Sequence, residues 1–275
     1  MKKFKKKITI GLPIYNEISN INNVLKNIFS QNLSNFDLII SDNCSNDGTY
    51  EVCKKWAKKR VQIRLYRQKK HIMRGHNFLF VYKKCKTKYF TWMAADDSRS
   101  VNFLKENVKF LEKNSKFIAS CSPCIIADRN GNKKKIKYDL IGENNAKIIK
   151  FLNNSFYCHG MIYSVFRYQK FSKLVEVNRY IHYFMWDWMF NIYLVTNGNF
   201  KSINKGYLKY SYGGQSSKKE YIRQYSKNFI EIFFPALNFI IYTFRKTNIF
   251  EKNSINILFK LLRIFILFQR KLLKG

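Results

Sequence analysis

Apolar positions along this chain change their period several times, and each change marks an element. Ile8 to Ile14 is almost wholly apolar and predicts a short strand, broken at Pro13. Behind it Ile18, Ile21, Leu25, Ile28 and Phe29 keep helical spacing, with Asn16 placed to cap that helix. Phe36 to Asp42 predicts a second strand that ends on an acid, and Asn43 to Thr49 gathers turn formers and helix caps. The next helix carries Val52, Cys53, Trp56 and Ala57 on one face, and Val61 to Tyr66 predicts a third strand. Arg74-Gly75-His76-Asn77 leads into a helix that ends near Lys86. Tyr89 to Ala95 then runs without charge and predicts a strand buried on both faces, with Asp96 and Asp97 side by side at its C-terminal end. Strand and helix alternate as far as Asn114, the pattern of a doubly wound, mainly parallel α/β sheet.

Beyond Asn114 the pattern loosens. Phe117 to Ala127 predicts one strand, Asn130-Gly131 a hairpin turn and Lys133 to Leu140 the return. Glu143 to Leu152 is helical in period. Asp187 falls among aromatic residues at the start of a further helix, which Asn197-Gly198 ends. Tyr210 to Ser217 is a polar loop that closes the compact part. These boundaries predict a domain over 1–219 and a helical tail over 220–275.

Acids at the C-terminal ends of strands lie where open α/β sheets bind ligands. Neighbouring Asp side chains on an extended backbone point apart, so one can hold a metal while the other meets a different group. A divalent cation also relieves their mutual repulsion. The sequence has neither a Gly-rich dinucleotide fingerprint nor a phosphate-binding P-loop, so any nucleotide site rests on these acids.

Composition sharpens this picture in three places. Hydrophobic content of 46% and aromatic content of 17% exclude wholesale disorder. A formal charge of +34 attracts anions, but the excess is spread along the chain, which argues against a dedicated nucleic-acid groove. The basic opening is followed by an apolar segment that Pro13 interrupts, too short for a secretory signal, so the six cysteines are read as reduced and the protein as cytoplasmic. Cys121 and Cys124 form a lone C-x-x-C, read as structural, with the two side chains on opposite sides of a strand.

Four motifs now stand in order: Gly11 to Glu17, Ser41 to Thr49, Ala94-Ala95-Asp96-Asp97, and Trp186-Asp187. Over about residues 7 to 217 the chain resembles the family 2 inverting glycosyltransferases of the GT-A fold. The resemblance implies a GT-A-type sheet with a smaller mixed acceptor-side region and a C-terminal helical tail. It also implies transfer of a hexose or N-acetylhexosamine from a nucleotide-diphosphate donor, a UDP-sugar first, to a hydroxyl of a growing, lipid-linked cell-surface glycan. Asp42 would recognise the base, with Pro13, Tyr15 and Glu17 lining the same pocket. Asp96 would lie near the ribose, and Asp97 would bind Mg²⁺ or Mn²⁺. Asp187 would be the catalytic base, flanked by Trp186 and Trp188, while Tyr212, Gly213, Gln215 and Ser216 would form the late acceptor and diphosphate loop. Two positions depart from the family pattern: Ala94 stands where many relatives carry an acid, and Tyr212 where a His or Arg is frequent.

The chemistry agrees with the motifs. The departing diphosphate needs its charge neutralised, and the acceptor hydroxyl needs a base; a partly desolvated acid between two Trp suits that role. In the tail, Phe229 to Phe244 is apolar around Pro235, and Ser254 to Gly275 has no acid while Lys260, Arg263, Arg270, Lys271 and Lys274 recur along one helical face. No stretch is long enough to span a bilayer. A basic amphipathic helix on an anionic membrane surface is the reading, with the protein peripheral on the cytoplasmic face. The competing class is a non-catalytic basic protein, binding anionic membrane or nucleic acid on a degenerate transferase fold.

Overall fold

The computed structural model describes residues 6–127, 133–154, 159–168, 175–210, 222, 225 and 229–273. Strands β1 (Ile8–Ile14), β2 (Phe36–Asp42), β3 (Ile63–Arg67) and β4 (Tyr89–Trp92) alternate with helices α1 (Ile21–Phe29), α2 (Thr49–Lys59) and α3 (Arg74–Lys83). Then come β5 (Ser98–Arg99), α4 (Phe103–Lys113), β6 (Phe117–Cys121), β7 (Cys124–Ala127), β8 (Lys133–Ile136) and α5 (Asn144–Asn153). A 3₁₀ turn (His159–Tyr163), β9 (Val165–Arg167), α6 (Val175–Tyr180), α7 (Trp186–Thr196), β10 (Asn199–Ser202) and β11 (Leu208–Tyr210) follow. Three helices, α8 (Phe229–Phe233), α9 (Leu237–Lys246) and α10 (Ser254–Leu273), end the described chain.

Among the described residues the main sheet has seven strands in the order β10-β6-β9-β4-β1-β2-β3. Its pairings are parallel except at β9, which runs antiparallel to both β4 and β6. β1 and β2 are buried along their whole length, as expected of continuous apolar strands covered on both faces. Gly11 allows the close packing at the centre: a Cβ there would come within 2.6 Å of the Phe90 ring and 2.8 Å of Val81. A second sheet, β5-β11-β7-β8, starts directly after Asp97. Asn27 fixes that start by donating to the Arg99 carbonyl (2.8 Å) and accepting from the Arg99 backbone N–H (2.9 Å).

Five expectations are corrected. Pro13 does not end β1. β4 pairs with β1 only as far as Gly11, so Pro13 has a strand partner on one side alone, Ser41 of β2, and its missing N–H is tolerated. Asn16 does not cap α1, which begins at Ile21; it sits at φ 52° and its side chain accepts from the Asn46 N–H at 3.1 Å. The uncharged run from Tyr89 is a strand only to Trp92. Phe117 to Ala127 is two strands in two sheets, because the chain leaves one for the other at Ser122-Pro123. That change of sheet brings the free Cys121 and Cys124 thiols into hydrogen-bonding contact instead of setting them on opposite sides. The contact and burial push the Cys121 thiol well above its ordinary value. Asn130-Gly131 lies outside the described residues, although β7 and β8 pair antiparallel on either side of it.

The C-terminal helices pack on the domain. Phe239 of α9 meets Trp188 edge-on at 5.6 Å, and Phe268 of α10 meets Phe184 at 5.3 Å. Asn145 at the start of α5 donates from its side chain to the Asn248 carbonyl (2.7 Å) and from its backbone to Glu251 (3.3 Å). None of the described helices is long and apolar enough to cross a membrane.

Candidate active site

Parallel register sets the first half of the site. It places Asp42, the last residue of β2, beside Ile14 of β1 and Arg67 of β3. Asp42 is fully buried. Its Oδ2 accepts the Ser45 backbone N–H at 3.1 Å and pairs with Arg67 Nε at 3.4 Å. Its Oδ1 is buried with no hydrogen-bond partner among the described residues, an acceptor left open at a strand end. Arg67 is fixed in turn: it donates to the Ser45 carbonyl (2.8 Å) and lies over the Tyr50 ring at 4.6 Å.

Loops after β1 and β2 are laced together. The Asn16, Glu17 and Ile18 backbone N–H groups donate to Ser45 (2.9 Å), Thr49 (2.8 Å) and Asp47 (3.0 Å). Tyr15 is exposed and packs on His71 with ring centroids 4.4 Å apart. Asn43 ties down the segment beyond β3 by bonding both the carbonyl and the N–H of Ile72, at 2.7 and 2.9 Å. Glu17 turns toward α1 and accepts from the Asn20 side chain at 3.0 Å. Burial raises its pKa, Asp96 adds to the rise, and the Asn20 bond and Arg74 oppose it. Pro13 lies inside β1, behind this loop.

The two adjacent acids differ in exposure, in the turn that follows β4 and not on the strand itself. Asp96 is exposed and Asp97 is buried at the junction of the two sheets. Asp97 makes no ion pair among the described residues, and its buried Oδ2 has no hydrogen-bond partner there. Burial holds its carboxyl well above the usual aspartate range, Asp96 pushes it further, and Arg99 and Arg74 pull back. Arg99 is itself buried, bonded to the Trp92 and Tyr163 carbonyls, and desolvation brings its guanidinium down to about 10.

Asp187 reaches the same neighbourhood from the other half of the chain. Gly75 near the start of α3 lets α7 approach: a Cβ there would stand 2.5 Å from the Ile181 carbonyl oxygen and 3.3 Å from Trp186 Nε1. Met185, held at φ 62°, turns the chain into α7, an unusual conformation for a non-glycine residue. Asp187 is half-buried in the first turn, its Oδ1 accepting the Trp188 N–H at 3.0 Å. Tyr163 reports the convergence. Burial raises its phenol first, and the charges of Asp97, Asp96 and Asp187 all push it further while Arg74 opposes them.

The flanking tryptophans are packed inward and not open beside Asp187. Trp186 and Trp188 are only 4% and 8% exposed, Trp186 packed on Phe78 and Trp188 on Phe151 and Phe239. Consecutive helical residues point in different directions, so both rings serve the core and neither is open to stack on a sugar. Tyr212, Gly213, Gln215 and Ser216 lie outside the described residues.

Four residues at the site escaped the sequence reading. Arg67 was findable as the β3 residue in register with Asp42, and Arg99 by its alternation two positions after Asp97. Arg74, whose charge acts on Glu17, Asp97 and Tyr163, and Tyr163 itself give no local signal. Among the described residues no three His, Cys, Asp or Glu side chains cluster as a metal cage. The open Oδ2 of Asp97 and its repulsion by Asp96 nonetheless fit a divalent cation that takes its remaining ligands from elsewhere.

Comparison with known proteins follows the same lines. The sequence model of Glycosyl transferase family 2 matches residues 9–174. No curated protein matches the chain. Among solved structures, residues 1–349 of S. aureus TarS superpose with a TM-score of 0.63 at 16% identity, over 96% of this chain and 73% of that one. The same protein in complex with UDP-GlcNAc gives 0.57 at 15% identity, covering 87% and 71%. The mannosyltransferase PcManGT of Pyrobaculum calidifontis, in complex with GDP-Man and Mn²⁺, gives 0.60 at 12% identity, covering 98% and 74%. Against the longer TarS chain, the match spans only 39% of that protein's length.

Proposed function

Because the chain belongs to glycosyl transferase family 2 and has a GT-A fold, we propose that it moves one sugar from a nucleotide-diphosphate donor to a hydroxyl of a growing glycan, with inversion at the anomeric carbon. The observation that carries this reading is the convergence of Asp96, Asp97 and Asp187 on the surroundings of Tyr163 and Arg74, at the same sheet edge as the open oxygen of Asp42.

Asp42 Oδ1 would accept an N–H from the nucleobase edge. Uracil and guanine both present such a donor, so this contact favours a base without choosing between them; a UDP-sugar is placed first. Asp97, with Asp96 toward the ribose, would hold Mg²⁺ or Mn²⁺. When bound, the cation supplies positive charge against the departing diphosphate. Arg74 adds charge at the same place from the chain itself. Asp187 would take the proton of the acceptor hydroxyl as its oxygen bonds to the anomeric carbon. The bond from that carbon to the diphosphate breaks in the same displacement, the nucleoside diphosphate leaves, and no sugar becomes attached to the protein. The transferred group is a hexose or N-acetylhexosamine, the acceptor is lipid-linked, and the protein works as a peripheral protein on the cytoplasmic face of the membrane.

A thermal-shift series with UDP, GDP, dTDP and CMP, each with and without Mn²⁺, tests donor binding; UDP with Mn²⁺ is expected to stabilise most. Asp187→Asn keeps shape without basicity. It should leave that shift near normal and lower transfer by about 10²-fold or more. Transfer close to the parent by Asp187→Asn, or a product that keeps the donor's anomeric configuration, overturns the mechanism. The competing non-catalytic reading would show nucleic-acid affinity with a steep salt dependence and no turnover.

A further inference from the structure

The C-terminal helices have two apolar sides. On α10 the inner side, Ile257, Leu261, Ile264 and Phe268, is buried in the domain core. Ile255, Leu258, Phe259, Leu262 and Ile266 are exposed, and at 3.6 residues per turn they share an arc of about 100° that the inner residues do not occupy. A helix that only packed on the domain would turn polar residues outward on that arc.

Exposed apolar residues lie on the neighbouring helices as well. Phe234 stacks on Phe265 at 5.7 Å and Gln269 donates to the Phe233 carbonyl at 2.5 Å, which seats the end of α8 beside the outer arc of α10. α8 exposes Phe229 (72%) and Ile230, α9 exposes Ile241 and Phe244, and Phe250 in the turn before α10 is 93% exposed. Charge in this layer is sorted by exposure. Arg245, Lys252, Arg263 and Arg270 are exposed, and Arg263 and Arg270 border the outer arc of α10. The two acids are not fully exposed and each has a partner: Glu251 accepts from Asn145 and Asn248, and Glu231 from Asn238.

We propose that the outward face of α8, α9 and α10 is the surface that seats this protein on an anionic lipid bilayer. The proposal rests on the membrane-peripheral part of the function given above and assigns it to a three-helix face docked on the domain. Exposed aromatic and aliphatic side chains beside exposed arginines match the boundary between acyl chains and anionic headgroups. A second copy of the chain suits the face less well, since a two-fold contact would bring together two faces that both expose arginines and whose two acids are already partnered.

The test uses the full chain, vesicles of phosphatidylcholine with phosphatidylglycerol, and vesicles of phosphatidylcholine alone. The parent should co-sediment with the anionic vesicles, and less so as salt rises. Phe259→Glu with Leu262→Glu, both on the exposed arc, should weaken partition by about tenfold or more while UDP still raises Tm as in the parent. Arg263→Glu with Arg270→Glu should lower binding to anionic vesicles and leave the weak binding to neutral ones unchanged. If the parent binds and the Phe259→Glu, Leu262→Glu protein binds equally well, the face assigned here is wrong and membrane attachment belongs elsewhere. If the parent ignores both vesicle types, the membrane-peripheral reading falls with it. A parent that is dimeric without lipid, made monomeric by the same pair of changes and indifferent to vesicles, makes the face a self-interface and overturns the proposal.

Discussion

Asp42 and Asp97 both lie beyond or at the end of a strand, both are buried, and both keep one carboxylate oxygen without a hydrogen-bond partner among the described residues. Their surroundings nevertheless oppose each other. Asp42 has its charge met in advance by Arg67 and the Ser45 N–H. Asp97 has burial and Asp96 against it, and Arg99 and Arg74 act on it without closing an ion pair. On the proposed function the base end of the cleft is ready as it stands, while the diphosphate end is an unfavourable place for a carboxylate until more positive charge arrives. Two acids equally visible in the sequence are thus one a finished contact and the other an incomplete one.

The largest effect expected from this difference is on turnover. Asp97→Ala should lower transfer by about 10³-fold or more and abolish the extra stabilisation that Mn²⁺ gives UDP. Chelation of the parent by EDTA should do the same, and full activity in either case breaks the comparison at its diphosphate end. A smaller effect is expected at the base end. Asp42→Ala should weaken UDP binding by about tenfold, about 1.4 kcal/mol, with transfer at saturating donor little changed. Equal loss of affinity for UDP and for a sugar diphosphate without a base would remove Asp42 from base recognition.

The smallest effect is on stability, and its sign separates the two acids. Because Asp97 is raised in the folded protein, the folded chain holds a proton that the unfolded chain has already lost over the window above the ordinary aspartate range. Stability is therefore lost as pH rises through that window. Asp97→Asn removes the ionisation, so without metal its Tm should match the parent at pH 4 and exceed it by a few degrees, about 2–4 °C per kcal/mol, at pH 8. Asp42→Asn, which discards an ion pair, should lower Tm at pH 8. A stabilising Asp42→Asn or a destabilising Asp97→Asn at that pH would reverse the assignment.

What was legible in the sequence follows from how local its cause is. β2, the first part of β1 and the apolar face of α1 could be read because continuous apolar runs and a 3.6-residue period survive without tertiary help. Asp42 could be placed because the end of β2 was, whereas Asp96 and Asp97 lie beyond the end of β4, in a turn where the uncharged run predicts the end of the strand. The division of Cys121 from Cys124 could not, since Ser122-Pro123 is a weak break and only the pairing of β7 with β11 and β8 shows that the chain has changed sheets. The inward packing of Trp186 and Trp188 was hidden for a related reason: their partners Phe78, Phe151 and Phe239 come from three distant helices. Arg74 belongs to the site through the approach of α3 to α7 at Gly75, a contact between residues more than a hundred positions apart.

β9, which among the described residues is the one antiparallel strand of the main sheet, has a consequence for how the chain matures during synthesis. β1 to β4 and their helices come from the first part of the chain and can associate as soon as it is made. β4 and β6 then both wait for Val165–Arg167, because among the described residues β9 is the element that joins them in the sheet. Until that short segment leaves the ribosome, both strands present open backbone edges, the feature that invites pairing with a foreign strand. Slowed elongation just before residue 165 would prolong that interval, and a chain paused there should be the one most readily captured by chaperones.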